Sequence, residues 1–238
     1  MPEKYTLSRC NPNAGDGFYW GGMTRISVAG KEYLICGSDL GNIYLMDEEE
    51  SFSSMGGEPV KTIPLGDYLE NAGAVHSSIC QFGDYIYFTS ENGYLWRGEI
   101  KTFSGEKPQF EYLKLSGNSS STPTVTGNYV FVGTWEKTGN SLGSIDIISI
   151  AAGTFEKVAV IGEVGEVYAS PIVNREEDGY YIYFTSYGMT GHGYCYLYKD
   201  NTISKVWETD AYCALQGMSA GEGFLVYGDG NSRLHIIK

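Results

Sequence analysis

The sequence is poor in positive charge: lysine and arginine total 16 against 29 aspartates and glutamates, a formal net charge of −13 over 238 residues. Such a field repels phosphate backbones and anionic headgroups, so nucleic acid is not an expected partner. Apolar runs of about 18 residues, the length a membrane-spanning helix needs, are missing. The opening MPEKYTLSRC lacks the basic-then-apolar layout of a signal peptide. No membrane insertion is expected, and the compartment is left open between the cytosol and an exported chain whose signal has been removed. Histidine is scarce. His76, His192 and His235 fall at unrelated places, and no G-x-S-x-G elbow occurs, which argues against a Ser-His-Asp hydrolase. The five cysteines, Cys10, Cys36, Cys80, Cys195 and Cys213, show no C-x-x-C spacing and have no paired histidines, so no metal is expected. Cys36, Cys80 and Cys195 lie in strand-like runs, where a thiol acts as a small hydrophobe. Cys10 and Cys213 lie in loops, where a bridge between them is open. Long stretches of the helix formers Ala, Glu, Lys and Leu are also absent.

Glycine, at 32, and tyrosine, at 20, are plentiful. That balance favours many short strands joined by tight turns, and the length suits one large all-β domain or two small ones. Internal similarity decides between them. The segment YLICGSDLGNIYLMD (33–47) returns as YIYFTSENGYLWRGEI (85–100), YVFVGTWEKTGNSLGSIDIISI (129–150), YIYFTSYGMTGHGYCYLYKD (181–200) and FLVYGDGNSRLHIIK (224–238). Each copy reads as a hairpin: a β-branched and aromatic strand, a glycine-bearing turn, then a second strand of alternating apolar residues. A short strand precedes each hairpin. A further strand follows the first four, in PVKTIPL (59–65), FEYLKL (110–115), EKVAVI (156–161) and KVWET (205–209).

Four antiparallel strands per repeat is the unit of a β-propeller. The expected fold is therefore all-β, a single five-bladed propeller of four-stranded antiparallel blades. The blades occupy about 20–65, 75–115, 120–161, 168–209 and 216–238 plus 4–8. The fifth copy lacks an outer strand of its own, and KYTLS (4–8) has no other partner. Pairing that segment beside 234–238 would close the ring and remove two exposed sheet edges. The alternative is part of a larger ring of seven or eight blades.

The motif S-x-P-x-V ahead of a hairpin, in STPTV (121–125) and the related SPIV (170–173), together with GSDLGNIYLMD (37–47), resembles the quinoprotein-like, PQQ-type repeat. The resemblance implies a propeller and two kinds of relative: quinone-cofactor dehydrogenases and cofactor-free binding scaffolds, among them a lipoprotein of bacterial outer-membrane assembly. No residues map onto the calcium and quinone site of the enzymes. Their tryptophan-docking run is not intact either, since AAGTFEKVAV (151–160) lacks the tryptophan. The resemblance is thus to the cofactor-free scaffolds, with no cofactor expected.

In a propeller, loops entering the innermost strands converge on one mouth. Here they are CNPNAGDGFYWGG (10–22), GDYLENAGAVH (66–76), SGNSS (116–120), GEVGEVY (162–168) and TDAYCALQ (209–216). Four of them join a carboxylate to an aromatic ring, and His76 and Gln216 stand at matching positions. Rings beside carboxylates and amides suit sugars, cationic groups or a protein segment. Trp20, Tyr19, Tyr68, His76, Tyr168, Tyr212 and Gln216 are the candidate ligand-binding residues. The expected protein is a monomeric, non-enzymatic binding module for a glycan, small molecule or protein partner. The competing reading is a glycoside hydrolase with two of Asp16, Asp67, Glu163, Glu166 and Asp210 as its acid pair.

Overall fold

A computed structural model describes residues 16–18, 20–47, 61–135, 142–188, 191–209 and 216–238. Among the described residues there is no α-helix, only short 3-10 turns between strands, and no helix is long and apolar enough to cross a membrane. The strands form five antiparallel sheets, each built from consecutive strands in chain order. Sheet 1 holds β1 (Thr24–Val28), β2 (Lys31–Gly37), β3 (Asn42–Met46) and β4 (Lys61–Pro64). Sheet 2 holds β5 (Cys80–Phe82), β6 (Tyr85–Ser90), β7 (Tyr94–Glu99) and β8 (Phe110–Lys114). Sheet 3 holds β9 (Thr124–Thr126), β10 (Tyr129–Thr134), β11 (Ser144–Ser149) and β12 (Glu156–Ile161). Sheet 4 holds β13 (Ile172–Glu176), β14 (Gly179–Thr185), β15 (Gly193–Lys199) and β16 (Thr202–Glu208). Sheet 5 holds β17 (Ser219–Gly221), β18 (Phe224–Gly228) and β19 (Leu234–Ile237).

The repeat expected from the sequence is therefore present five times, with one departure: sheet 5 has three strands among the described residues. The strand expected at 4–8 lies outside them.

The chain divides into two compact units, Met1–Tyr112 and Leu113–Lys238, with the boundary inside β8. Middle strands such as β6 in the first unit and β10 in the second are buried almost without interruption, whereas outer strands such as β12 and β16 are largely exposed. Near-continuous apolar runs such as YIYF and YVFV are what a strand covered on both faces needs. In the first unit Ile35, Ile43, Ile63, Ile86, Phe88 and Trp96 form one core with Leu65, Val75 and Ile100. In the second unit Phe131, Ile145, Ile147, Ile182, Phe184 and Tyr194 form another. Each such side chain contributes roughly 1.5–3 kcal/mol by leaving water. Cys36 and Cys195 are buried and Cys80 half-buried, while Cys10 and Cys213 lie outside the described residues.

Candidate functional site

Antiparallel order places the loop that leads into each inner strand at the same end of the sheet as the turn between its second and third strands. That end is built by a rule readable in the chain. Five residues after the aromatic that starts each copy stands a small polar side chain: Ser38, Ser90, Thr134, Ser186 and, in the last copy, Asp229. All are buried, the four hydroxyls at 1% exposure or less. Each oxygen holds the following turn. Ser38 Oγ accepts Asn42 N–H at 3.0 Å, Thr134 Oγ1 accepts Ser144 N–H at 3.1 Å and Ser186 Oγ accepts His192 N–H at 3.2 Å. Ser90 Oγ accepts the Trp96 indole N–H at 3.0 Å, and Asp229 Oδ1 accepts Asn231 and Arg233 N–H at 2.8 and 2.9 Å.

The next residue projects from the sheet end: Asp39, Glu91, Trp135 and Tyr187. Backbone bonds fix it against the incoming loops. In the first unit Val75 N–H donates to Ser38 O at 2.9 Å and Glu91 N–H to Ala74 O at 2.8 Å. In the second, Val167 N–H donates to Thr134 O at 2.9 Å and Tyr187 N–H to Glu166 O at 2.7 Å. Gly73-Ala74-Val75-His76 and Gly165-Glu166-Val167-Tyr168 thus do the same work. Each starts from a glycine in the left-handed region, at φ +85° and +81°, where a side chain would be strained and would crowd Asn92 or Ser186.

The consequence is a bracket in each unit. His76 has Nε2 3.0 Å from Asp39 Oδ1 and Nδ1 3.1 Å from Glu91 Oε1. The Trp20 ring lies 5.8 Å from its imidazole and is 53% exposed. Tyr168 stacks on Trp135 at 5.3 Å and meets Tyr187 edge-on at 6.3 Å. Its hydroxyl donates to Glu166 Oε2 at 3.0 Å, and burial, with that carboxylate beside it, raises the phenol far above its usual range. One bracket is acidic and imidazole-centred, the other aromatic.

No family model matches the sequence, and sequence comparison recovers no curated protein. Solved structures do match. BamB from Moraxella catarrhalis superposes with a TM-score of 0.59 at 15% identity, over 91% of this chain and 58% of its own. The quinohemoprotein alcohol dehydrogenase ADHIIG from Pseudomonas putida HK5 gives 0.61 at 12% identity, over 93% of this chain and 42% of its own. BBS1N, in complex with ARL6DN, gives 0.54 at 13% identity, over 90% and 63%. The first two are propellers built of PQQ-type repeats. The fold is that of a β-propeller. The chain spans between two-fifths and two-thirds of the length of these structures, and at such identity the likeness speaks for the fold alone.

Within this propeller the candidate residues separate. Trp20 and His76 come together, with Asp39 and Glu91 completing the group; Tyr168 centres the second bracket. Tyr68 is used elsewhere: its hydroxyl donates to Pro108 O at 2.8 Å and its ring meets Phe110 edge-on at 5.1 Å, packing against the outer strand of blade 2. Gln216 is exposed, and its carbonyl accepts the Thr185 hydroxyl at 2.6 Å. Tyr19, Tyr212 and Asp210 lie outside the described residues. Among the candidate acids, Asp16 accepts from Tyr44 Oη at 2.7 Å, Asn42 Nδ2 at 2.9 Å and Leu40 N–H at 2.9 Å. Glu166 is taken by Tyr168, and Asp67 and Glu163 sit exposed on turns. Of the remaining histidines, His235 stacks on Tyr227 at 4.9 Å and bonds Asp229 Oδ2 at 2.8 Å, and His192 bonds the Thr209 carbonyl. Asp39, Glu91, Trp135 and Tyr187 were not among the residues singled out from the sequence. Their signal is positional, one residue past the buried hydroxyl in each of the first four copies, and it is hidden because the side chains share no chemistry.

Proposed function

We propose that this protein is a non-enzymatic binding module whose partner is a protein segment, met at the incoming-loop end of its blades. The observation that carries the reading is exposed apolar surface held rigidly at that end. Phe18, Trp20 and Leu40 are 43%, 53% and 58% exposed in the first unit, and Leu142 and Tyr187 are 54% and 37% exposed in the second. Asp39 N–H donates to Gly17 O, and Asp16 Oδ1 receives Gly17 and Leu40 N–H, so the loop bearing Phe18 and Trp20 is tied to its turn. Large rings set out on a fixed frame are the usual anchors of protein interfaces, since little conformational freedom remains to be lost on binding. The likeness to BBS1N, crystallised in complex with ARL6DN, supports a protein partner.

The test is affinity capture of partners with the wild type, Trp20→Ala and Tyr187→Ala, quantified by mass spectrometry. Both side chains are exposed enough that the melting temperature should stay put. The wild type should retain one or more proteins that at least one variant loses by about tenfold or more, the scale of a truncated anchor residue. Identical retention by all three proteins would refute the reading.

A further inference from the structure

Blades 4 and 5 meet poorly. Between blades 3 and 4, Phe131, Ile145, Phe184 and Tyr194 form a packed layer. Between blades 4 and 5, among the described residues, the buried pair is Met218 and Tyr227, with Tyr183, Trp207, Leu225 and Ile237 half-buried around them. β17 contributes to this: Ala220, paired with Leu225, offers only a methyl group at the register where the other inner strands carry Arg25, Gln81, Val125 and Val173. A cavity of about 510 Å³ is left.

Its walls are two cross-strand rows, whose members share a face because paired residues in an antiparallel sheet point the same way. On blade 4 the row is Ile172–Tyr183–Cys195–Trp207, and on blade 5 it is Ala220–Leu225–Ile237. The Tyr183 and Trp207 rings, 6.2 Å apart and tilted by 39°, close over Cys195, which is 1% exposed. Burial pushes that thiol up to about 11, so the wall offers rings and not a nucleophile. Phe224 adds a third, half-exposed ring. Polar groups come from exposed Asn174 and Lys238. One Asn174 amide N–H is given to Glu176 Oε1 at 2.7 Å, which leaves its second N–H and the side chain of Lys238, also lining the cavity, as donors to an incoming group.

We infer that this cavity is a binding site for a small, flat aromatic molecule carrying one polar or anionic substituent. Its volume lies within the roughly 300–1,000 Å³ of small-molecule sites. Three rings give a planar guest offset-stacked and edge-on contacts that an aliphatic chain would not use. A gap that the described side chains leave unfilled forfeits dispersion contacts that such a guest restores.

The probes are 2-naphthol, uncharged, and 1-anilinonaphthalene-8-sulfonate, anionic, titrated by calorimetry into the full chain. Both should bind. Ala220→Trp, which fills the space from β17, should weaken 2-naphthol by at least about tenfold while holding or raising the melting temperature. Lys238→Ala should weaken the sulfonate and leave 2-naphthol unchanged. Should Ala220→Trp lose its circular dichroism spectrum, Ala220→Leu, a smaller filling, decides by the same criterion. No heat with either probe, or equal affinity in the wild type and the folded filling variant, would overturn the assignment.

Discussion

Asp16 shows how one side chain takes its meaning from its surroundings. In the sequence it is an acid between two glycines, Gly15-Asp16-Gly17, beside three aromatic residues, a composition that fits a catalytic carboxylate as well as a turn anchor. The structure makes it an anchor. Partial burial works to raise its titration, but hydrogen bonds from Tyr44, Asn42, Leu40 and Ser38 outweigh that effect and hold the carboxyl below its ordinary 3.8. A general acid needs the opposite shift. Because the folded value lies below the unfolded one, the stabilisation is present above the unfolded value and is lost as pH falls through the folded one. Asp16→Ala should therefore destabilise the chain at pH 7 by about 1–3 kcal/mol, the cost of orphaning buried donors. In urea titrations the gap between variant and wild type should narrow once the pH drops below 3.8. A gap constant from pH 7 to the acid limit would show that the carboxylate's charge is not what matters.

At the scale of elements the hairpins were the most legible part of the chain, because strand alternation and turn glycines are local properties repeated five times. What sequence alone could not give was how neighbouring blades touch. Gly37 and Gly133 hold the same place in their copies, the last or next-to-last residue of a second strand, and look like ordinary turn glycines. A Cβ on Gly37 would overlap Val75 Cγ1, and one on Gly133 would crowd Val167 Cγ1 and O; each glycine admits the valine of the following blade's incoming loop. Gly133→Ala should cost about 1–3 kcal/mol through overpacking, read as a lower denaturant midpoint. Gly83→Ala has open space around it, bears only the strain of its φ of +58°, roughly 1–2 kcal/mol, and should leave the blade contact intact. The two are told apart by hydrogen exchange at Val167, which only Gly133→Ala should accelerate. The brackets escaped for a related reason. Asp39, Glu91, Trp135 and Tyr187 share a position and no chemistry, so a search by residue type passes over them.

For the molecule as a whole, the surplus of 13 negative charges predicts self-repulsion that salt will screen. The melting temperature at pH 7 should rise between low and about 0.5 M sodium chloride, where the screening length drops well below 10 Å; a fall would mean that attractive ion pairs such as Arg97–Glu111 and Lys31–Asp47 dominate instead. The number of blades was readable from the spacing of the copies, since strand and turn lengths fix that period. The closing strand expected at 4–8 was an argument about a missing edge, and it falls outside the described residues. In the first four copies the projecting residue is secured through main-chain atoms, which every amino acid possesses. Its identity can therefore change over generations, or in a combinatorial library at positions 39, 91, 135 and 187, with no redesign of the sheet beneath. A scaffold arranged in this way keeps its architecture while its preferences drift, so kin with the same skeleton need not share a taste in partners.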